Sequence, residues 1–378
     1  MQLLGRLILL GGLVAALSSV AADAPRDPGS AGPFTTGAYS VTVTVPGAEA
    51  LLPIEIHYPR SGDGVDPSAS PYPGIVFAHG FMGSASTYPG NGQHLASWGY
   101  IVAMPDFTDE AIEVRTTEAR HALTVLEAEN ARSASLLYQQ VDTTRLGITG
   151  HSLGGCTTMM VSARDGRIKA AVALDPVNPE EFIGDGPWDH EAEAPNIWAP
   201  MAIIGAPSQM CNSNANYEGL YPHMGSRHKT KLVIADSSHC DYMVTDAALE
   251  RWACYLLCGG EYDEGRVSLI QRYSTAWLNY YLKGDLAYYH YVYGVGFAQP
   301  ESEGAYTSTL DTSPRNLRAI GDATGARLDW EVCDYAIVAG YNVYRWPQGQ
   351  PCPASPVAQI GRVGDYHDTG ATHGVLYH

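Results

Sequence analysis

A short serine motif flanked by glycines constrains this chain more than any other part of its sequence. Residues 150–154, Gly-His-Ser-Leu-Gly, match the pattern G-x-S-x-G, in which a strand ends in a sharp turn and a helix begins at once. Glycine is needed on both sides because the backbone doubles back, and a Cβ atom there would clash. Residues 145–149 resemble a buried strand, and residues 156–163 are compatible with a helix. This context predicts that Ser152 is a nucleophile; the alternative is a loop serine without chemistry.

Apolar, strand-like runs alternate with helix-like segments through the middle of the chain. The alternation across residues 74–235 predicts a mostly parallel, doubly wound α/β sheet. Residues 39–45 and 54–58 alternate apolar and polar side chains with period two, which predicts an antiparallel pair ahead of it. Runs predicted as buried strands are 74–78, 100–104, 145–149, 169–174, 201–205 and 231–235. Other predictions are helices at 109–140 and 268–284, the second being the last, and irregular loops at 178–199 and 209–228.

A serine nucleophile needs a base within reach, and the base needs a carboxylate to orient it. His239 follows the run predicted as the last buried strand, and it is the only one of the 13 histidines in that position. Asp175 follows the run at 169–174, whereas residues 206–210, after the next strand, contain no carboxylate. We therefore predict a catalytic triad of Ser152, Asp175 and His239, in the chain order typical of this architecture. The alternatives are a turn or helix cap for Asp175 and a surface loop residue for His239.

The segment after the first central strand predicts where an oxyanion would bind. Residues 79–83, His-Gly-Phe-Met-Gly, follow the buried run at 74–78, and a glycine-rich turn can aim backbone N–H groups at a developing negative charge. We predict an oxyanion hole formed by the N–H groups of Phe81 and Leu153, with Met82 as the alternative to Phe81. His79 is predicted to be a structural residue of this turn rather than the base.

Charge and targeting signals limit the partners and the compartment. The chain has 40 Asp and Glu against 22 Lys and Arg, a formal net charge of −18, which argues against nucleic acid and anionic membranes as partners. Residues 1–22 combine Arg6, a short apolar run and small terminal residues, as a secretory signal peptide does. No later run is long and apolar enough to span a bilayer. We expect a secreted, extracellular or periplasmic monomer that uses no cofactor and no metal.

Seven cysteines in an exported chain predict disulfide bonds and one thiol left over. Cys156, just inside the helix that follows the serine motif, is expected to be buried and free. Cys333 and Cys352 are expected to pair with each other. The sequence leaves open how the remaining four pair, and these are Cys211, Cys240, Cys254 and Cys258.

These motifs together resemble the cutinase, polyester hydrolase and chlorophyllase-like group of α/β-hydrolases. The residues that carry the resemblance are 79–84, 150–155, 175–177 and 238–241. The resemblance implies an α/β-hydrolase catalytic domain over residues 33–298, with Ser152, Asp175 and His239 as its triad. It also implies that Phe81 both donates the oxyanion N–H and lines the substrate cleft.

The same resemblance implies that Met82, His151 and Val177 contact the substrate. Cutinases of this group that attack aromatic polyesters have a tryptophan where this chain has Val177. The substitution removes half of an aromatic clamp, which bears on poly(ethylene terephthalate) but leaves aliphatic esters and polyesters open.

The C-terminal part differs in composition from the rest. Residues 299–312 are rich in Ser, Thr, Gly and Glu, which predicts a linker. Residues 313–378 resemble a fibronectin type III module, a small all-β sandwich. The chain stops where a late strand would begin, so we expect this module to be incomplete, and to space or tether the catalytic domain.

The sequence thus predicts a secreted serine carboxylic-ester hydrolase that forms an acyl-enzyme on Ser152 and acts on esters or polyesters. A lipase or a general short-chain esterase would use the same residues and is the first alternative. The second alternative is a surface-binding protein whose hydrolase domain is a non-catalytic scaffold.

Overall fold

The computed structural model describes most of the chain between residues 25 and 372. The described residues are 25–47, 50–178, 190–245, 247–310, 315–322, 324–331, 340–347, 350, 353, 355–361 and 363–372. The predicted signal peptide and the predicted Cys333–Cys352 pair lie outside them.

A ten-stranded sheet organises the chain up to residue 310. Its strands are β1 (Thr36–Thr44), β2 (Leu51–Ser61), β3 (Gly64–Val65), β4 (Tyr72–Ala78), β5 (Ile101–Pro105), β6 (Val141–His151), β7 (Ile168–Leu174), β8 (Met201–Gly205), β9 (Lys229–Ile234) and β10 (Tyr306–Leu310). Their order is β1-β2-β5-β4-β6-β7-β8-β9-β10, with β3 paired to β2. The strands from β5 to β9 in this order are parallel neighbours, and β1, β2 and β10 join antiparallel. The sheet therefore has the predicted parallel centre and the predicted antiparallel pair β1–β2 at one edge.

Helices cover both faces of this sheet. They are α1 (Pro89–Ser97), α2 (Ile112–Ala131), α3 (Leu153–Arg164), α4 (His190–Glu193), α5 (Tyr217–His223), α6 (Ala248–Cys258), α7 (Glu264–Tyr281), α8 (Tyr289–Val292) and α9 (Val295–Ser302). Because successive strand side chains point to opposite faces, the core divides into two layers. In β4, Val76 lies in the layer that contains Leu123 of α2 and Met160 of α3. Ile75 and Phe77 lie in the layer under α1 and α7.

Three predictions about helices and loops need correction. The helix predicted over 109–140 ends at Ala131, because Asn130 accepts hydrogen bonds from the N–H groups of Gln139 (2.9 Å) and Val141 (3.0 Å) and reverses the chain into β6. The segment 209–228, predicted to be irregular, contains α5. The helix predicted over 268–284 is present as α7, but it is not the last, since α8 and α9 follow it.

The linker prediction for residues 299–312 is wrong over 299–310, the part that the structure describes. Its first residues belong to α9, and β10 pairs antiparallel with β9, with Tyr306 opposite Ile234 and Leu310 opposite Thr230. Strand β9 is consequently not the last strand of the sheet. The Tyr306 side chain is buried, and its hydroxyl donates a hydrogen bond to the Phe297 carbonyl. Serine and threonine content indicated a linker, but threonine is also favoured in strands, and the buried tyrosine decides the outcome.

Beyond residue 314 the described residues form two small antiparallel sheets. One has the order β11-β12-β15, and the other pairs β13 with β14. Their bounds are β11 (Arg315–Asp322), β12 (Gly325–Glu331), β13 (Gly340–Val343), β14 (Ala358–Gly361) and β15 (Asp365–Asp368). The buried Trp330 ring lies 5.4 Å from the Tyr341 ring. This part is all-β where described, while its identity as a fibronectin type III sandwich stays a prediction.

In the part of the chain that the structure describes, no helix has both the length and the apolar composition to cross a bilayer.

The pairing of β10 predicts a stability effect that a linker would not show. Replacing Tyr306 by alanine should lower the free energy of unfolding by about 3–5 kcal/mol, the usual range for removing a large buried aromatic side chain. Urea denaturation measures this directly. The control is Thr307→Ala, on the exposed side of the same strand, which should change stability by less than about 0.5 kcal/mol. A neutral Tyr306→Ala variant would contradict the pairing.

Candidate active site

Ser152 lies in the sharp turn between β6 and α3. Its backbone adopts φ 60° and ψ −123°, a conformation that is uncommon for a residue with a side chain. A Cβ atom on Gly150 would lie 2.6 Å from the Ala78 carbonyl oxygen, and one on Gly154 would lie 2.0 Å from the same atom. Both positions therefore require glycine, as predicted, and the turn packs directly against the end of β4.

Asp175 and His239 form a buried hydrogen-bonded pair. The distance between His239 Nδ1 and Asp175 Oδ2 is 2.5 Å. Asp175 is held at the end of β7 by its own N–H, which donates to the Ile204 carbonyl at 2.8 Å. Its other carboxylate oxygen, Oδ1, accepts hydrogen bonds from the Ala206 N–H (3.1 Å) and from Asn212 Nδ2 (3.0 Å). Since the carboxylate engages Nδ1, the Nε2 atom of His239 is left to exchange a proton with another group.

Ser152 and His239 line the same cavity, which has a volume of about 610 Å³. Among the described residues, no hydrogen bond joins the serine hydroxyl to the imidazole. Such contacts are often long in ligand-free enzymes and tighten when substrate binds. The cavity also contains Phe81, Leu153 and Val177, so the sequence-predicted residues converge on one space.

The loop after β4 presents the predicted oxyanion donors. Met82, the alternative donor, is already engaged, because its N–H donates to Glu110 Oε1 at 2.8 Å. In the described part of the chain, the N–H groups of Phe81 and Leu153 have no acceptor. Leu153 is the first residue of α3, where backbone N–H groups have no partner within the helix. The geometry thus favours Phe81 over Met82.

A buried arginine clamps this loop on both sides of Phe81. Arg115 of α2 is fully buried; its guanidinium donates to the His79 carbonyl and, at 2.8 Å, to Glu110 Oε2. Glu110 in turn holds the Met82 N–H, so the pair fixes the backbone before and after Phe81. Burial lowers the pKa of Arg115 to about 10, so the guanidinium remains charged at neutral pH.

His79 has the structural role that the sequence predicts for it. Its Nε2 accepts the Phe107 N–H at 3.3 Å, and its Nδ1 donates to the Gly80 carbonyl at 2.8 Å. Burial, together with the nearby Arg115 charge, lowers the pKa of His79 to about 3. The imidazole therefore stays neutral and braces the loop.

The three residues predicted to contact substrate, Met82, His151 and Val177, all line the cavity. Met82 is exposed at its mouth, while His151 and Val177 are buried in its wall. His151 Nδ1 lies 2.8 Å from the Tyr88 hydroxyl, and its ring centroid lies 4.4 Å from that of His239. Burial and the proximity of His239 lower the pKa of His151 well below its usual value. A neutral His151 avoids repelling His239 when the latter is protonated.

Two disulfides connect the site to helix α6. Cys211 pairs with Cys258, and Cys240 pairs with Cys254, which settles the pairing that the sequence left open. Cys240 directly follows His239, and Cys211 directly precedes Asn212, which contacts the Asp175 carboxylate. Both bonds therefore attach α6 close to the Asp175–His239 pair. Cys156 is free and buried, as predicted, and burial raises the pKa of its thiol to about 12.

A family profile described as PET hydrolase-like matches residues 27–308. The chain belongs to this family. The match covers the sheet from β1 through β9, which is therefore an α/β-hydrolase sheet. It ends at residue 308, inside β10, the strand that the linker prediction missed. The C-terminal residues lie outside the match, and no comparison supports a fibronectin type III module there.

Curated relatives are also ester hydrolases. The chain is 24% identical over 244 residues to "Cutinase est1" of Thermobifida alba, covering 64% of this chain and 69% of that protein. It is 24% identical over 292 residues to "Bis(hydroxyethyl) terephthalate hydrolase" of Streptomyces coelicolor, covering 74% of this chain and 81% of that protein. A shorter match to "Cutinase est2" of Thermobifida alba is 27% identical over 160 residues, 42% of this chain and 47% of that protein. The prediction that this PET hydrolase-like chain is a carboxylic-ester hydrolase is confirmed.

Sequence reasoning missed the residues that hold the site in place. Asn212 was noted only as part of an irregular loop, yet it is buried and contacts the Asp175 carboxylate and, at 3.3 Å, the Pro176 carbonyl. Arg115 was not singled out at all. Arg115 lies in a mostly polar stretch, residues 113–121, so nothing local distinguishes it from Arg120, and nothing local distinguishes Asn212 from the asparagines beside it.

The contact between Asn212 and Asp175 predicts a stability difference between neighbouring asparagines. Asn212→Ala removes one of two donors to a buried carboxylate oxygen and should lower the free energy of unfolding by about 1–3 kcal/mol. Asn214→Ala, at an exposed position of the same loop, is the matched control and should be close to neutral. Urea denaturation of both variants measures the difference, and equal stabilities would contradict the role of Asn212.

Proposed function

We propose that this chain is a secreted serine esterase whose catalytic triad is Ser152, His239 and Asp175. The observation that supports the proposal most is the 2.5 Å contact between His239 Nδ1 and Asp175 Oδ2, at the wall of the cavity that also contains Ser152. A carboxylate on Nδ1 orients the imidazole and stabilises the imidazolium that forms when Nε2 takes a proton.

In the first half of the reaction, the Ser152 hydroxyl attacks the ester carbonyl and His239 Nε2 takes its proton. The negative charge then develops on the carbonyl oxygen, where the N–H groups of Phe81 and Leu153 would stabilise it. Collapse of this tetrahedral intermediate breaks the bond to the alcohol. His239 returns the proton to the leaving alcohol, and the acyl group remains on Ser152.

In the second half, water replaces the alcohol. His239 takes a proton from the water, which attacks the acyl-enzyme through the same oxyanion site. The intermediate releases the carboxylic acid, and the proton passes back to the Ser152 oxygen. No cofactor or metal is required by these steps.

We propose aliphatic esters and polyesters as the substrates. Support comes from the apolar cavity wall, which includes Leu153, Val177 and Met243. Val177 is buried, and its N–H donates to the Ser152 carbonyl at 3.1 Å. The Val177 side chain is small and aliphatic, and its backbone is hydrogen-bonded to the turn of Ser152. It therefore does not offer the flat aromatic surface on which a terephthalate ring would stack. The family description names PET, so hydrolysis of poly(ethylene terephthalate) should be measured alongside that of aliphatic polyesters, lipids and short-chain esters.

The proposal also covers the compartment in which the enzyme acts and its oligomeric state. Residues 1–22 would direct export and be removed, the two disulfides suit an oxidising compartment, and residues 313–378 would act as a spacer or tether. The enzyme would act as a monomer, without nucleic acid partners or an integral membrane segment.

The nucleophile proposal predicts that Ser152→Ala lowers kcat on p-nitrophenyl butyrate by at least about 10⁴-fold, because acyl transfer then lacks its nucleophile. Folding should be unchanged, since the side chain lost is one hydroxyl. Ester turnover and circular dichroism test the two statements.

A fluorophosphonate probe provides the control. It should label the wild-type protein once, at Ser152, with loss of fluoride, and should not label Ser152→Ala. Wild-type protein that neither reacts with the probe nor turns over any ester would instead support the binding-protein alternative. Residual turnover by Ser152→Ala close to that of the wild type would refute the assignment of the nucleophile.

The clamp around Phe81 makes a separate prediction. Glu110→Gln keeps an acceptor for the Met82 N–H but weakens the pairing with Arg115, so the Phe81 N–H should be less well oriented. We expect kcat to fall by about tenfold, less than the ~10²–10³-fold cost of losing an oxyanion donor, with KM little changed. Affinity for a trifluoromethyl ketone analogue should fall in parallel.

Glu113→Gln is the matched control for the clamp. Glu113 lies on α2, the helix that carries Arg115, but pairs with Arg164 at the surface, so this variant should leave kcat unchanged. A Glu110→Gln enzyme with wild-type kcat would show that the clamp does not set the oxyanion geometry.

A further inference from the structure

Helix α6 exposes an apolar face next to the cavity. Leu249, Trp252 and Leu256 are 75%, 60% and 65% exposed, and their spacing of three and four residues places them on one side of the helix. A surface helix normally turns such a stripe toward the protein core. A contiguous apolar patch left exposed is instead typical of an interaction site.

The cavity lies along a neighbouring side of the same helix. Glu250, Ala253 and Leu257 contribute to the cavity wall. Within α6, only Cys258 is buried, so little apolar packing holds the helix to the body of the protein. The disulfides of Cys254 and Cys258 hold it covalently. The helix can therefore keep its position at the cavity without burying its apolar face.

The exposed face adjoins the rim of the cavity at Leu257, the residue after Leu256. Met82, Met210 and Leu257 line the cavity and are also largely exposed. We call these three residues together with Leu249, Trp252 and Leu256 the rim patch. A flat apolar object that covers the rim patch would also cover the entrance to Ser152.

We propose that the rim patch docks this enzyme on the uncharged surface of a solid aliphatic polyester, with the cavity opening onto chains at that surface. This inference rests on the proposed function. A net charge of −18 disfavours both an anionic lipid surface and a second copy of the chain, because like charges repel. An uncharged polymer carries neither penalty. A small dissolved ester needs only the cavity, so the apolar face of α6 outside it would have no use.

The test separates adsorption from catalysis. The double variant Trp252→Ser/Leu256→Ser changes two residues that do not line the cavity. Adsorption is measured in a Ser152→Ala background on polycaprolactone particles, so that hydrolysis does not alter the surface. We expect adsorption affinity to fall at least about tenfold, corresponding to about 1.4 kcal/mol. With Ser152 intact, the double variant should hydrolyse p-nitrophenyl butyrate within about twofold of the wild type.

The matched control is Leu286→Ser/Val295→Ser. These residues are 73% and 62% exposed, similar to the pair in α6, but they are not part of the cavity wall. This control should adsorb like the parent protein. Equal loss in both double variants would overturn the proposal, because adsorption would then follow general surface apolarity.

Three other results would also overturn it. They are unchanged adsorption of the α6 variant, a parallel loss of its activity on the dissolved ester, and binding to phosphatidylcholine vesicles at least as tight as to the polyester. A dimer of the wild type that the α6 substitutions dissociate would likewise assign the patch to a second copy. Adsorption that depends on the patch, in a protein that hydrolyses no ester, would support docking and refute the proposed function.

Discussion

The close approach of two backbone segments determines the geometry of the site. The turn at residues 150–154 packs on the last residue of β4 so tightly that a single Cβ atom on Gly150 or Gly154 would overlap the Ala78 carbonyl. Because the loop at residues 79–83 starts at the next residue, this contact places Phe81, the proposed oxyanion donor, beside the turn of Ser152. The parallel sheet supplies the rest, since β7 and β9 end at the same edge and place Asp175 and His239 beside the turn. The site is thus a product of strand register as much as of its side chains.

Two buried charges hold this edge together, and each has several hydrogen-bond partners, although the buried Nε of Arg115 has none. A carboxylate or guanidinium removed from water is costly unless partners replace its hydration. The Asp175 carboxylate has His239, Asn212 and the Ala206 N–H, and Arg115 has Glu110 and the His79 carbonyl. The partners themselves lie on the loops that carry the chemistry. The requirement to satisfy each charge therefore also rigidifies those loops, which is how the fold preorganises a reactive centre.

Features with a local physical signature were predictable from the sequence. The buried strands, the G-x-S-x-G turn and the positions of Asp175 and His239 after strand ends all follow from short-range pattern and known strand order. The contact of Asn212 with Asp175, the contacts of Arg115 and Glu110 with the loop at 79–82, and the cysteine pairing join residues distant in sequence, which no local pattern encodes. Strand β10 was missed for a different reason: its Ser and Thr residues suit a linker or an edge strand equally, and only pairing with β9 distinguishes them.

Helix α6 is attached to the protein by two disulfide bonds rather than by burial of its apolar stripe, which leaves that stripe free to bind another surface. An amphipathic helix held by apolar contacts would have to bury the stripe formed by Leu249, Trp252 and Leu256, and that stripe could then bind nothing else. Attachment through Cys254 and Cys258 removes this conflict. The same two bonds end beside Asn212 and His239, so the exposed helix and the acid–base pair share their anchors. A displacement of α6 would therefore pull on the chain beside the Asp175–His239 pair, the proposed acid and base.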